Sequence, residues 1–388
     1  MRLKDIVTWV HNIFGGPIIA DDRSSHSCQR CIYTMILITI SCGSFILCMF
    51  DIRNMLYPQD LVLSVIDLLT LIGIAFTVFT IYVSSLTKFF HKPKAHILQC
   101  LNDLDAVLYT VNMHEDPSQI LPMHCAFSIG CTVFVAVALV LVDVFRSNNF
   151  NAMVSAFKVH GLFVIFLTHG LFLVISYHIW KRMRYMGLHL EKMIEIANRR
   201  KEQPTKNWEN SNIRFCRGIK SLAIAQIHCF ETVNCLNDEY GLQNVTVFGI
   251  FFFILTAKSF HLFYVCSVQF KQKGLTIIDT LEPGLMIVVV FFYFFATTYV
   301  GEMVIREAQL VLNNLHKIES IQPSGHRKTN YSLDIESELV EQFGNQILHQ
   351  PISFTVMNFF QVDLKFFHLV MASIATYLII LLQFDFQN

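Results

Sequence analysis

The chain has 388 residues, 54% of them hydrophobic and 36 of them phenylalanine, with a formal net charge of zero at neutral pH. That is too apolar for an ordinary soluble domain, and the balanced charge offers nothing to a nucleic acid. Runs of about 18 or more uncharged apolar residues suit a bilayer better than a core, so the chain reads as an all-α, multi-pass membrane protein.

In chain order, residues 1–30 are polar and interrupted by Gly15-Gly16-Pro17, which fits a cytoplasmic segment and no cleavable signal peptide. Four spans are expected within 31–180: residues 32–50, Leu61 to about Leu86, Cys125 to about Phe145, and about Ser155 to Trp180. A polar connection with Lys88, Lys92, Pro93, Pro117 and Pro122 separates the second from the third. Residues 181–244 are charged yet periodic. Met183, Met186, Leu190 and Ile194, then Ile219, Leu222, Ala223, Ile227 and Phe230, recur at helical spacing and predict amphipathic cytoplasmic helices continuing spans four and five. Spans five and six fall within 245–304, separated by an outer loop from Gln269 to Pro283. Residues 305–364 read as a helical extension, a linker around Pro323-Ser324-Gly325 and a helix near 338–362 ahead of the last span, 365–388.

Basic residues set the orientation. The segments expected inside carry 23 of the 29 Lys and Arg, which places the N-terminus in the cytoplasm and the C-terminus outside. The sequons at Asn244 and Asn330 then lie on the cytoplasmic side, where they stay unglycosylated. Eleven cysteines sit mostly in apolar helices or cytoplasmic loops, so no disulfide framework is expected. Cys28 and Cys31 form a lone C-x-x-C, for which chance or lipidation competes with zinc binding.

Ionisable groups inside spans mark functional candidates, because each costs at least about 2.5–3.5 kcal/mol in lipid. Lys258, His261, Asp67, Asp143, Lys158 and His160 fall in one outer depth range under this topology. In one reading Asp67 and Lys258 are a buried structural pair while Asp143 and Lys158 snorkel to water. In the other they rim an outward-facing ligand pocket walled by Phe263, Tyr264, Phe291, Tyr293 and Tyr299.

The chain closes on Thr376-Tyr377, five aliphatic residues, then Gln383-Phe384. An unpaired amide costs about 2–7 kcal/mol in hydrocarbon, so Gln383 is expected to face something other than lipid. Ser373, Thr376, Ile380 and Gln383 share one helical stripe that can line a water path, and Tyr377 lies off it. This ending resembles the C-terminal signature of the insect gustatory receptors, and Phe354 to Asp363 is similar to that family's Phe-Thr-Ala-x-Gly-Phe-Phe-x-Leu-Asp segment, departing at Val356, Asn358 and Val362. The resemblance implies a seven-helix, ligand-gated cation channel in the plasma membrane of a sensory neuron. It also implies a homo-tetramer or hetero-tetramer around one pore, Gln383 and Phe384 at the gate, Ile380, Thr376 and Ser373 along the path, and Tyr377 as a gating relay. A small-molecule tastant would bind in the outer half, with Asp67, Lys258, His261, Tyr264, Phe291 and Tyr293 as candidate contacts.

Enzymatic motifs are missing from the sequence: there is no H-E-x-x-H, phosphate-binding glycine loop or Gly-x-Ser-x-Gly, and no catalytic residue, metal or cofactor is expected. His160, His169 and His178 recur every nine residues, so successive members point to opposite sides of a helix. The alternatives to a channel are a G-protein-coupled receptor, with its N-terminus outside, and a membrane transporter.

Overall fold

The computed structural model describes residues 34–46, 61–90, 97–110, 117–146, 152–202, 208–266, 277–321 and 331–386. The expectations for residues 1–30, for Cys28 and Cys31, for Asn330 and for the ends of the first span lie outside the described residues. The described elements in order are α1 (Thr34–Ile46), α2 (Leu61–Phe90), α3 (Ile97–Tyr109), α4 (Pro117–Arg146), α5 (Ala152–Glu202), α6 (Trp208–Tyr264), α7 (Ile277–Ile321) and α8 (Tyr331–His349). A hairpin of β1 (Thr355–Val356) and β2 (Phe360–Gln361) then leads into α9 (Leu364–Phe386).

Five of these helices are long and apolar enough to cross a membrane, and α1 and α4 contribute two shorter apolar stretches. The fold is the all-α, seven-span arrangement expected from the sequence. With no water available, hydroxyls within the spans satisfy themselves locally. Thr70, Thr77, Thr80, Thr132, Ser176, Thr256 and Thr298 each donate to the carbonyl four residues back.

Helices α5, α6 and α7 run unbroken from the membrane into the extensions. At 51 residues, α5 reaches about 77 Å, more than twice a hydrocarbon core of about 30 Å. The periodic apolar residues of its second half, Met183, Met186, Leu190 and Met193, are buried. They meet Ile219, Leu222, Val233 and Leu236 of α6 and Val311, Leu315 and Ile318 of α7 in one continuous core, which α8 closes with Val340, Phe343 and Ile347. Asn244 is buried within α6, where no glycan fits.

Three segments differ from the sequence reading. The polar connection after the second span holds α3, whose Ile97, Cys100, Leu101, Leu104 and Leu108 are all buried. That i, i+3, i+4, i+7 pattern was hidden between flanking prolines. The outer loop is shorter than expected, because α7 begins at Ile277 and carries Pro283 inside it. A proline six residues into a helix leaves only one early hydrogen bond unmade, which membrane helices tolerate. The helix expected near 338–362 ends instead at His349, ahead of Pro351, and the hairpin replaces its second half.

The hairpin is short and strongly held. Thr355 pairs with Gln361 and Val356 with Phe360, and the Phe359 N–H donates to the Val356 carbonyl at 2.9 Å. Met357 and Asn358 take left-handed φ of 48° and 59°, as a tight primed turn requires. Asn is among the few residues that adopt this conformation at modest cost, which accounts for its standing where the family segment has Gly. Asn237 of α6 grips the hairpin twice: its Nδ2 donates to the Ser353 carbonyl and its Oδ1 accepts from the Thr355 N–H, both at 3.1 Å. On the other side Gly301 of α7 leaves room for the Val362 carbonyl, which a Cβ there would meet at 1.9 Å. Asp363 then caps α9, its Oδ1 accepting from the Phe366 N–H at 2.8 Å.

Candidate ligand site and terminal helix

The ends of α2, α6, α5 and α7 that lie away from the extensions, the distal ends, converge on four charges. Asp67, Lys158, Lys258 and Glu282 each sit about six residues, or about 9 Å, from a distal helix end. Lys258 Nζ lies 3.1 Å from Asp67 Oδ1 and 3.3 Å from Glu282 Oε1, while Lys158 Nζ lies 2.7 Å from the same Glu282 oxygen. Glu282 and Lys258 are buried, and Asp67 leaves half of its side chain exposed. The group is neutral overall, so each ion has a counter-ion where an isolated one would be costly. His261 is buried one turn further along α6, and Tyr264 is half-buried at its end.

The structure therefore joins Asp67 to Lys258, as the sequence allowed. It also pairs Lys158, which snorkels in one of the two sequence readings, with Glu282. Glu282 is the residue sequence reasoning missed, because Pro283 was taken to end a loop. An acidic residue directly before the sixth span, with Lys158 in the fourth span given no counter-ion, was the available signal. The Asp143 side chain lies outside the described residues.

The aromatic candidates of α7 do not gather around these charges. Tyr293 is 11 residues from Glu282 along α7, about 16 Å nearer the middle of the bundle. It stacks on Phe166 at 5.1 Å, and its hydroxyl is 3.3 Å from that of Thr132. Phe291 turns away from that interior and meets Phe295 and, across the base of α9, Phe367 at 5.5 Å. Tyr299 is exposed and stacks on Phe295. The charges form a distal cap, and a buried aromatic layer around Phe166, His169, Phe251 and Tyr293 lies beneath it.

The three α5 histidines spaced nine residues apart each turn to a different neighbour. His160 Nε2 meets the Tyr82 hydroxyl at 3.2 Å, His169 Nε2 the Thr297 hydroxyl at 2.8 Å, and His178 Nε2 the His124 Nδ1 at 3.1 Å. One turn further, Arg182 makes a two-pronged contact with Asp105 of α3, both bonds 2.6 Å, and fastens α3 to the long helix.

The terminal helix is nearly bare. Its apolar window is only 11% buried, and among the described helices it packs mainly against α6 and α7. Thr376, Ile380 and Gln383 are exposed, Ser373 is half-buried, and the Ser373 and Thr376 hydroxyls donate to the Leu369 and Ala372 carbonyls. Tyr377 sets its ring edge-on to Phe252 of α6 at 5.8 Å, so it does contact a neighbouring helix. The Phe384 side chain lies outside the described residues. Phe360 and Phe366 stack at 4.2 Å where the hairpin meets the helix base.

Residues 7–388 match the family described as 7tm Chemosensory receptor. The chain belongs to that family. Two solved structures share the fold of this chemosensory receptor over 98% of its length and 97% of theirs. Both are of the insect olfactory receptor OR5 from Machilis hrabei. One has a TM-score of 0.62 at 12% identity; the other, in complex with eugenol, has 0.63 at 13%. No curated protein matches the sequence. A family of receptors has no place for the enzymatic readings, and the chain is not an enzyme.

Proposed function

We propose that this chemosensory receptor is a gustatory-type, ligand-gated, non-selective cation channel of the plasma membrane of a sensory neuron, assembled as a tetramer of identical or related subunits. The observation that carries the reading is the terminal helix. It is held firmly at its base, almost uncovered along its length, and bears Thr376, Ile380 and Gln383 on its exposed side. One helix cannot enclose a water path, so several copies must supply the wall. An apolar ring near Phe384 resists wetting when closed, and the Gln383 amide turns into the path on opening.

A small organic tastant acts from the distal end, where the charged cap and the aromatic layer join α5, α6 and α7. The eugenol complex of the structural neighbour supports a ligand of that size. Such a ligand opens the pore only through its higher affinity for the open arrangement. The test is whole-cell recording from cells expressing the receptor, challenged with sugars and bitter compounds. Agonist-evoked cation currents whose conductance or gating changes in Gln383→Ala and Phe384→Ala are the expected result. Unaltered currents from well-expressed variants remove the gate assignment, and substrate flux without channel currents replaces the channel with a transporter.

A further inference from the structure

Helices α1, α2 and α5 enclose a cavity of about 280 Å³ that the reading above does not use. Its walls are Ile38, Ser41, Cys42 and Phe45 of α1, residues between Ile72 and Tyr82 of α2, and Phe157 of α5. The α2 span runs over Val65–Thr87, so the Ala75 level lies about 15 Å from its distal end, near the middle of a hydrocarbon core of about 30 Å. Phe76 and Phe79 on the same wall are exposed, so the cavity opens towards the bilayer rather than towards the charged cap.

One polar atom sets this chamber apart from an ordinary apolar gap. The Ser41 hydroxyl oxygen is buried and has no hydrogen-bond partner among the described residues. Its neighbour Thr39 donates to the carbonyl four residues back, as do the hydroxyls named along the other spans. Ser41 makes no such bond, and it is one of the residues lining the chamber, so that a change of rotamer suffices to present its hydroxyl there. Tyr82, the other hydroxyl there, is engaged with His160. A hydroxyl in hydrocarbon without a partner is costly, and a lipid tail at mid-depth has nothing to offer it.

We infer that this chamber binds a membrane-partitioned amphiphile with a single hydroxyl or carbonyl and a compact apolar body. The polar group bonds to Ser41, and the body lies among Phe45, Ile72, Phe76 and Phe79. At about 30 Å³ per water-sized group, 280 Å³ holds about nine such groups, the size of a medium-chain alcohol. The ligand arrives through the bilayer and occupies a site separate from the distal cap.

The test uses the purified full-length receptor in lipid nanodiscs and a diazirine-bearing nonanol as photoprobe, with adducts mapped by mass spectrometry. It needs no current, so it stands or falls apart from the channel reading. The expected result is saturable labelling on residues 38–45 and 72–82, displaced by 1-nonanol and far less by nonane. Ser41→Ala weakens binding of the alcohol about three- to tenfold, the worth of one hydrogen bond, and leaves nonane unchanged. Ala75→Trp fills the chamber and removes the labelling, and Ser41→Ala keeps the test alive if that variant misfolds. Equal displacement by nonane and nonanol, or labelling spread over all lipid-facing helices and indifferent to Ser41→Ala, would mean bulk lipid only and overturn the inference.

Discussion

Glu282 holds two lysines, so its loss takes a carboxylate from both Lys158 and Lys258 and leaves Lys258 with the half-exposed Asp67. Breaking a buried ion pair from one side costs about 3–5 kcal/mol. Glu282→Gln should therefore lower the unfolding midpoint of the detergent-solubilised receptor by several degrees. Adding Lys158→Gln should recover part of the loss, since the two sites are in contact and do not add. A midpoint unchanged by Glu282→Gln would show the cap to be solvated. At this scale the sequence was informative about cost and poor about pairing. Lys258 announced itself as an ion in a span with Asp67 as a possible partner, whereas its second partner, Glu282, was legible only once the start of α7 was known. Asn358 is a second case: its difference from the family glycine was visible, but its left-handed φ was not. Asn358→Gly should be nearly neutral, and Asn358→Val should cost about 1–3 kcal/mol in the same melt, because a β-branched side chain cannot take that conformation cheaply.

Between helix and helix, the hairpin decides where α9 stands. Gly301→Ala drives a methyl into the Val362 carbonyl. Overpacking of this kind costs about 1–3 kcal/mol and moves backbone, here at the base of the terminal helix. The expected outcome is a lower melting midpoint together with a shifted agonist dose–response curve. A shift in midpoint alone would mean that the base of α9 does not bear on gating. Asn237→Leu removes two hydrogen bonds, each worth about 0.5–1.5 kcal/mol, and should act in the same direction. The spans themselves were legible because an apolar run is a property of consecutive residues. The hairpin was not, because its stability comes from Asn237 and Gly301, which stand 118 and 61 positions away from Thr355 and Val362 and are brought there only by folding. Helix α3 was missed for a milder reason: thirteen residues between prolines give a pattern too brief to stand out by period alone.

Across the whole molecule, the excess of basic residues among the extensions predicts which end is cytoplasmic. Epitope tags at Met1 and after Asn388 should give antibody access only to the C-terminal tag on intact cells. Access only to the N-terminal tag would reverse the orientation and favour G-protein coupling. The seven-span architecture could be read from composition, but the continuity of α5, α6 and α7 into the extensions was only anticipated, since no residue at their joins is forbidden in either helix or loop. That continuity has a mechanical meaning. Three rods pass from the charged cap to the extension core without a joint, like the stiles of a door frame. The terminal helix begins instead after the hairpin, hung from the frame by the short bracket at 355–361. In the proposed channel, a twist applied to the frame at its far end would reach α9 through the bracket, and the sparsely covered edge of α9 would travel farthest. On that proposal the leaf would swing at its tip, where Gln383 and Phe384 stand, about a fixed hinge.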